Sequence, residues 1–596
     1  MNNTLKAQEY PAGAMSAGCG PGKDPSGAVA YLSDESRLPG KAEKIFFPAS
    51  GPEAAAILRE AARLGKTVTI SGGRTGITGG AVPEGGWLMS DEKMNAVLGM
   101  RHDEKSGKYF VRCQPGITLE ALNKALAGKH FENTEKWPEA DRKAFELFRK
   151  SGAWRFMPDP TEASATIGGM IACNASGART FHYGPTRDHV AALRLVLAEG
   201  SFLDIRRGEC FADASGAFQL ILPAGEQREG RIPGYKMPPV KNAAGYFSKP
   251  GMDLIDLFIG SEGTLGFVAE AELALLQPPE EILGVIGFFP SEESALDFVR
   301  AARGENTGGA GQLATAKPPG EAGAVPPSGQ VGQGCPTPAM IADVKSALPG
   351  DSSLNGNISA LSKPPLAVEY FDYKALNLLR DQKSKAGPSS EIPALPEGAH
   401  TAVYIELPTT ETGMEKQAEE LLALLEACAS SADTAWTALS PEETEKLKKF
   451  RHALPETINQ RIGQRAAAAP GLTKLGTDFA LPDGRLADMF GLYRRALDES
   501  GLEYVIFGHI GNNHIHINIL PNNMDEYRRG KEIYLKLARE VVQWGGTISG
   551  EHGVGKLKKS FLALMFGEAG IEEMRRVKRV FDPESLINPG NMFDPA

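Results

Sequence analysis

Hydrophobic and polar positions divide the chain into stretches of different period. PEAAAILREAARLG, opening at Pro52 and closing at Gly65, repeats its apolar residues at helical spacing. KTVTI follows as a β-branched strand and runs into SGGRTGITGG, Ser71 to Gly80. LRLVLAEGSFLDI predicts a hairpin turning at Glu199-Gly200. DLIDLFIGSEGTLGFVAEAELAL, Asp253 to Leu275, predicts two apolar segments around a glycine-rich turn. Farther on, ILGVIGFF, SEESALDFVRAAR, LAVEYFDYKALNLL and TAVYIEL predict strands and helices of a second unit. In HIHINIL the period of two places His514, His516 and Asn518 on one strand face, with Ile515, Ile517 and Ile519 buried behind them.

These patterns predict an α+β protein. A chain of 596 residues is too long for one core. We expect an N-terminal arm over 1–41, a first domain over 42–278, and a cap domain with an antiparallel sheet over 279–545. A C-terminal segment, 546–596, is expected to return to the first domain. The Gly/Ala/Pro/Ser-rich stretch at about 303–365 cannot bury enough apolar surface to offset its ordering entropy, and reads as a mobile insertion. A shorter one, SKAGPSSEIPALPEGAH, follows at 384–400. LKKFRHALPETIN, Leu447 to Asn459, reads as a helix broken or capped near Pro455.

Charge narrows the function classes. The net charge of −10 argues against nucleic-acid binding and against a basic membrane-surface patch. No stretch approaches the roughly 18 apolar residues of a spanning helix, and the N-terminus lacks the pattern of a secretion signal. Six scattered cysteines without a CxxC pair exclude a local iron–sulfur motif and suit a reducing cytosol. We expect a cytoplasmic protein, with peripheral membrane attachment and a homodimer both left open.

The candidate chemistry lies in two kinds of motif. SGGRTGITGG brings Gly72, Gly73, Gly76, Gly79 and Gly80 together directly after a strand, where backbone N–H groups can approach an anion. It is neither a Walker A loop nor a GxGxxG fingerprint. A second cluster holds Pro158, Gly168, Gly169, Asn174, Ser176 and Gly177; a third, GSEGTLG, holds Glu262, Gly263 and Gly266. The other kind is histidine-rich: of ten histidines in the chain, four fall between 509 and 552. His509 ends an apolar strand, His516 follows seven residues later, and Glu551 and His552 stand side by side in TISGEHGVG. Two imidazoles and a carboxylate suit a borderline divalent ion with positions left open. By spacing alone a hydrogen-bonded polar network is an equal competitor.

The three glycine motifs, in this order, resemble the PCMH-type FAD-binding domain of the vanillyl-alcohol-oxidase superfamily. The resemblance implies that Ser71, Gly72, Gly73, Arg74, Thr75, Gly76, Gly79 and Gly80 cradle the FAD pyrophosphate. Pro158, Gly168, Gly169, Asn174, Ser176, Gly177, Glu262, Gly263 and Gly266 would surround the rest of the cofactor. The first loop carries Arg74 and Thr75 but no histidine, so non-covalent FAD is expected.

The C-terminal motifs resemble the HxGDGNLHxN and GEHGxG signatures of the FAD-linked D-2-hydroxy acid dehydrogenases, related to D-lactate dehydrogenase and the glycolate oxidase flavin subunit. The resemblance implies His509, His516 and Glu551 as ligands of a metal, zinc or manganese. It implies His552 as base, Asn518 as a substrate contact, Arg451 as the grip on the substrate carboxylate, and Lys474 as a further contact. The expected reaction is oxidation of a small D-2-hydroxy carboxylate, such as D-lactate, glycolate or D-2-hydroxyglutarate, to the 2-oxo acid. Electrons would leave to a separate acceptor: a quinone, a cytochrome or an iron–sulfur partner protein. Here Asn512-Asn513-His514 replaces the family's Asp-Gly-Asn. His514 is open between an extra ligand, a group behind the ligands, and a solvent-facing residue. Two other readings are an alkylglycerone-phosphate synthase-like flavin transferase, whose histidine–tyrosine arrangement is not seen here, and a non-catalytic FAD-binding subunit, which should lack the full His-His-Glu-His set.

Overall fold

Ser50 caps the helix Gly51–Arg63 by accepting from the Glu53 N–H, Pro52 sits in its first turn, and the chain leaves it through Gly65 at φ 61°. Ala54, Ala55, Ile57, Leu58 and Ala61 form its buried face, packed on Phe202, Phe267 and Ala269. This helix is the crossover that parallel strands need. It joins Lys44–Phe46 to Val68–Ser71, and both lie parallel to Trp87–Ser90 between them. The first glycine-rich loop therefore leaves the carboxyl end of a parallel strand, where α/β sheets place ligands. This computed structural model describes residues 2–9, 22–305, 361–387 and 392–595.

The remaining strands of the first half form an eight-stranded sheet. Its order is Gln227–Arg231, Ala217–Ile221, Thr4–Gln8, Phe202–Arg206, Val190–Val196, Phe267–Ala274, Lys108–Cys113, Val97–Asp103. The Val190–Val196 and Phe202–Arg206 pair is the expected hairpin, with Gly200 in its turn at φ 83°. Within the stretch expected as an arm, Thr4–Gln8 is a sheet strand, parallel to Ala217–Ile221 and antiparallel to Phe202–Arg206. Its alternation is real but short: Leu5 and Ala7 are buried between three polar residues.

The cap carries a second eight-stranded sheet in which every pairing is antiparallel. Its central strands run Glu281–Phe289, Thr401–Thr409, Ala367–Phe371, Tyr504–His509 and His514–Ile519. The helix expected to break at Pro455 does not: Pro441–Ala468 is one helix of 28 residues with Pro455 inside it. A proline in a helix interior costs about 3 kcal/mol. The same helix buries Leu447, Phe450, Leu454, Ile458 and Ile462 at helical spacing, each contributing about 1.5–3 kcal/mol, and packing wins. Most of the expected insertion at 303–365 lies outside the described residues, as do 388–391 of the second; the latter is pinned where it resumes, by Lys383 Nζ donating to the Ile392 carbonyl at 2.7 Å. No described helix is long and apolar enough to cross a membrane.

The chain end lies along the strand that launches the first loop. The Val68 N–H donates to Leu586 O at 2.8 Å, the Asn588 N–H to Val68 O at 2.9 Å, and Asn588 Oδ1 accepts from the Ile70 N–H. Thr547 bridges back to Ala480 of the cap. The segment between these anchors, Thr547–Gly555, is thus shared by both halves.

Candidate cofactor and metal site

The three glycine-rich motifs meet in space. A Cβ on Gly72 would stand 2.6 Å from Thr166 Oγ1, which caps the helix Ile167–Cys173 that Gly168 and Gly169 open. A Cβ on Gly177 would stand 1.9 Å from the Asp159 carbonyl, next to Pro158. Glycine is required at both because the Thr166 hydroxyl at Gly72, and the Asp159 backbone carbonyl at Gly177, occupy the space a side chain would need. Asn174 ends the helix in the left-handed region at φ 48°, its Oδ1 accepting from the Arg187 N–H at 2.9 Å. The Glu262 N–H donates to Ala172 O at 2.8 Å, which docks the third motif on the second. Gly263 lies against Asn588, and Gly266 against the Val196 carbonyl.

In the first loop Arg74 packs over the Tyr31 ring at 4.4 Å, and Gly79 and Gly80 lie beside Lys556 and Asn591. Thr75 and Gly76 sit at the partly open tip, where a Cβ on Gly76 meets nothing within 4 Å. Two serines in these motifs, Ser71 and Ser176, have buried hydroxyls with no hydrogen-bond partner among the described residues. Such orphans, in a cradle of close backbone, fit a polar cofactor that supplies the missing partners. The residues present fit FAD.

The histidines are positioned by one hairpin. Tyr504–His509 pairs with His514–Ile519 so that His509 stands opposite His514 and Phe507 opposite His516, with Asn513 turning the chain at φ 51°. Ile515, Ile517 and Ile519 are fully buried on the other face, as the alternation predicts. Glu551 arrives from Thr547–Gly555, its Oε1 3.1 Å from His509 Nε2 and 3.8 Å from His514 Nδ1. The nearest nitrogens of His509, His514 and His516 and the Glu551 carboxylate all lie within 4.8 Å of one another. His514 is 0% exposed, so the solvent-facing reading is wrong. The hairpin end that would carry it outward is folded under Asp478 and Gly550.

The outward ring nitrogen of each imidazole is fixed. His509 Nδ1 donates to Glu369, His516 Nδ1 to the Thr477 carbonyl at 2.9 Å, and His514 Nε2 to Asp478 Oδ1 at 2.8 Å. Since a carboxylate or carbonyl can only accept, each of these nitrogens carries the hydrogen and, in the neutral ring, the other presents its lone pair inward. This donor set fits a divalent metal.

Electrostatics follow from burial and pairing. Burial favours a neutral Glu369, but Arg451, whose Nε lies 3.3 Å from Oε2, and His509 hold it at about 2. Burial opposes the charged form of His509, yet Glu369 and Glu551 raise it to about 9. Burial, with His514 and His552 beside it, keeps His516 well below the usual imidazole range, and burial lowers His514. Against burial, His509 and Lys241 keep the Glu551 carboxyl well below its ordinary value.

His552 stacks on His516 at 5.6 Å and keeps about a third of its side chain exposed, at 32%. Its Nδ1 lies 3.2 Å from Asp478 Oδ2, its N–H donates to the same oxygen, and its carbonyl accepts from Thr78 Oγ1 of the first glycine loop. Asn518 is buried on the histidine face, opposite Gly476. Lys474 lies two residues before Gly476; burial lowers its pKa, with Arg37 as the charged neighbour, and it joins none of the contacts of the centre.

Three residues of this site were given no role from the sequence, although Asp478 lies in the KLGTDFALP segment that also carries Lys474. Asp478 accepts from His514, the backbone N–H groups of Glu551 and His552, Ser549 Oγ and Lys558 Nζ. Glu369 had a signal, a lone carboxylate inside the apolar strand Ala367–Phe371. Lys241, 4% exposed, donates to both Gly177 O and Glu551 Oε1, and nothing in its local sequence marks it.

All three glycine motifs touch the segment that carries Glu551 and His552. Thr78 holds His552, Lys241 links Gly177 to Glu551, and the Glu262 carboxylate accepts from Val554 and Gly555 at 2.6 and 2.8 Å.

Comparison with known proteins agrees with this architecture. The FAD binding domain family model matches residues 42–134 and 145–206, and that of the FAD linked oxidases, C-terminal domain, matches residues 357–592. Over 92% of its length the chain is 26% identical to a probable mitochondrial D-lactate dehydrogenase of Danio rerio, covering 84% of that protein. It is also 26% identical, over 92% of its length, to the glycolate oxidase subunit GlcD of Bacillus subtilis, covering 89% of it. The same identity and span hold for a D-2-hydroxyglutarate dehydrogenase of Stutzerimonas stutzeri, covering 90% of it. Among solved structures, an alkyldihydroxyacetonephosphate synthase matches with a TM-score of 0.52 at 14% identity, over 93% of this chain and 78% of that one. At that identity the likeness shows a shared fold alone. With an FAD binding domain in its first half and the oxidase C-terminal domain behind it, the chain belongs to the FAD-linked oxidases.

Proposed function

We propose that this enzyme oxidises a small D-2-hydroxy carboxylate to the 2-oxo acid, with non-covalent FAD as the first electron acceptor. The observation that supports this is the convergence of His509, His516, Glu551 and His552 beside Arg451, on a segment tied to all three glycine motifs. FAD, when bound, supplies the acceptor for the hydride leaving Cα, and a divalent cation on His509, His516 and Glu551 supplies the charge that lowers the hydroxyl pKa.

Arg451 offers a planar, permanently charged guanidinium to the substrate carboxylate, and Glu369 fixes its approach. His552 takes the hydroxyl proton as general base. Asp478 holds its ring and backbone, and stabilises the imidazolium that results. Asn518 and Lys474 are assigned to substrate contact. Ser71 to Gly80 is assigned to the pyrophosphate, and the second and third motifs to the flavin and ribityl chain. Electrons then leave to a separate quinone, cytochrome, iron–sulfur partner or oxygen. The test is to mix purified protein anaerobically with D-lactate, D-2-hydroxyglutarate and glycolate and follow the flavin absorbance. Bleaching by at least one is expected, and no bleaching by any 2-hydroxy acid would sink the assignment.

A further inference from the structure

We infer that His514 is a fourth protein ligand, so that this chain offers three imidazoles and one carboxylate to its metal. The inference rests on the metal assignment above and names the coordination class of that site. Its first support is an unanswered atom. His514 is fully buried, its Nε2–H is used by Asp478, and its Nδ1 has no hydrogen-bond partner among the described residues. That lone pair faces Glu551 Oε1 at 3.8 Å and lies with the other ligand atoms inside the 4.8 Å cluster. A purely structural histidine would be expected to satisfy both nitrogens.

The second support is how the ring is held. A Cβ on Gly550 would stand 2.8 Å from both Nε2 and Cδ2 of His514, so the residue preceding Glu551 leaves room for this imidazole and no more. Asp478 completes the arrangement by binding His514 with one oxygen while accepting from the Glu551 N–H with the same atom. The outer partners of His514 therefore match those of His509 and His516 in kind: one acceptor outside, with the other ring nitrogen turned toward the centre. The Asn512-Asn513-His514 stretch then adds a donor to the site.

Three imidazoles shift the preference toward a borderline cation such as zinc and away from manganese or magnesium, which favour oxygen donors. Four protein ligands fill a tetrahedral zinc, so the substrate hydroxyl would enter only by expansion to five coordinates. The competitor is Lys241, whose ammonium already donates to Glu551 Oε1 and could be the only cation the centre holds.

X-ray absorption at the zinc edge decides between these, using the full-length FAD-bound protein with one equivalent of Zn²⁺. Three imidazole scatterers are expected in the wild type and two in His514→Ala and His514→Gln. Zinc affinity in chelator competition should fall by at least about 100-fold, the upper end of what losing a mere supporting partner does. Two imidazoles in the wild type, or a variant that binds zinc as tightly, overturns the inference. So does failure to retain stoichiometric zinc, which leaves Lys241 as the cation. If a variant loses its flavin, the wild-type imidazole count decides alone. Flavin bleaching by substrate is scored separately, so the proposed oxidation stands or falls independently of this count.

Discussion

The glycine-rich cradle proposed to hold FAD and the histidine centre solve opposite problems with opposite materials. The cradle is built largely from glycine backbone: at Gly177 the Asp159 carbonyl, and at Gly72 the Thr166 hydroxyl, occupies the space a side chain would need, and the Ser71 and Ser176 hydroxyls have no partner among the described residues. The centre is built from side chains. Glu369, Asp478, Lys241, Arg451 and four histidines are packed together, and their charges are matched in pairs. A backbone cradle tolerates loss of any one polar contact but not the addition of a methyl group. A buried ionic centre tolerates small changes of shape but not the loss of a charge, because the abandoned partner stays buried.

The comparison breaks most visibly at Asp478. Asp478→Ala strands Lys558 and His514 and releases the Glu551–His552 backbone. We expect a loss of about 3–5 kcal/mol in urea unfolding, with metal content and turnover both abolished. Unchanged stability would show that the centre is not held by its charges. Next, His552→Ala should lower kcat by about 10²- to 10⁴-fold while flavin and metal content stay at wild-type levels. A variant that turns over normally removes His552 from the reaction.

Gly177→Ala tests the other region. Its Cβ would meet the Asp159 carbonyl at 1.9 Å, an overpacking that costs about 1–3 kcal/mol. The variant should purify depleted of FAD yet retain the metal; retention of FAD would contradict a backbone-built cradle. The smallest effect is expected where the halves join. Arg179 of the first half binds Glu406 of the cap at 2.7 Å and, against burial, holds its carboxyl below the usual range. A carboxylate lowered on folding contributes stability above its unfolded pKa, about 4.3, and loses it as pH falls through the folded value. Acidification below about pH 4.3 should therefore increase proteolysis between the halves in the wild type. Glu406→Gln should lose that part of the pH dependence. An unchanged profile would place the joint elsewhere.

How legible each region was follows from the same contrast. The glycine clusters were visible in the sequence because each motif is continuous, within about twenty residues at most, although what crowds Gly72, Gly263 and Gly266 lies far away along the chain. The histidine face could be read from the alternation in HIHINIL. What holds those histidines could not. Glu369 lies 140 residues from His509, Lys241 lies 310 from Glu551, and Asp478 lies 36 from His514 and 74 from His552. No local period links such residues: the cap sheet pairs the Glu369 strand with the His509 strand, and the loops that carry Lys241, Asp478 and Glu551 meet there only in the folded chain. Thr4–Gln8 was missed for a different reason, since five residues carry too little alternation to separate a strand from an arm. Pro455 misled because a local rule was outweighed by five buried side chains on the same helix.

The most direct test of the account is a single-turnover experiment. FAD-bound enzyme is mixed anaerobically with the D and L enantiomers of lactate and 2-hydroxyglutarate, and with glycolate, in stopped flow. The account predicts that at least one D acid or glycolate bleaches the flavin, that its Cα-deuterated form does so more slowly, and that His552→Ala suppresses it. Flavin left oxidised by all of these acids, or reduced as quickly by the L forms, would contradict it.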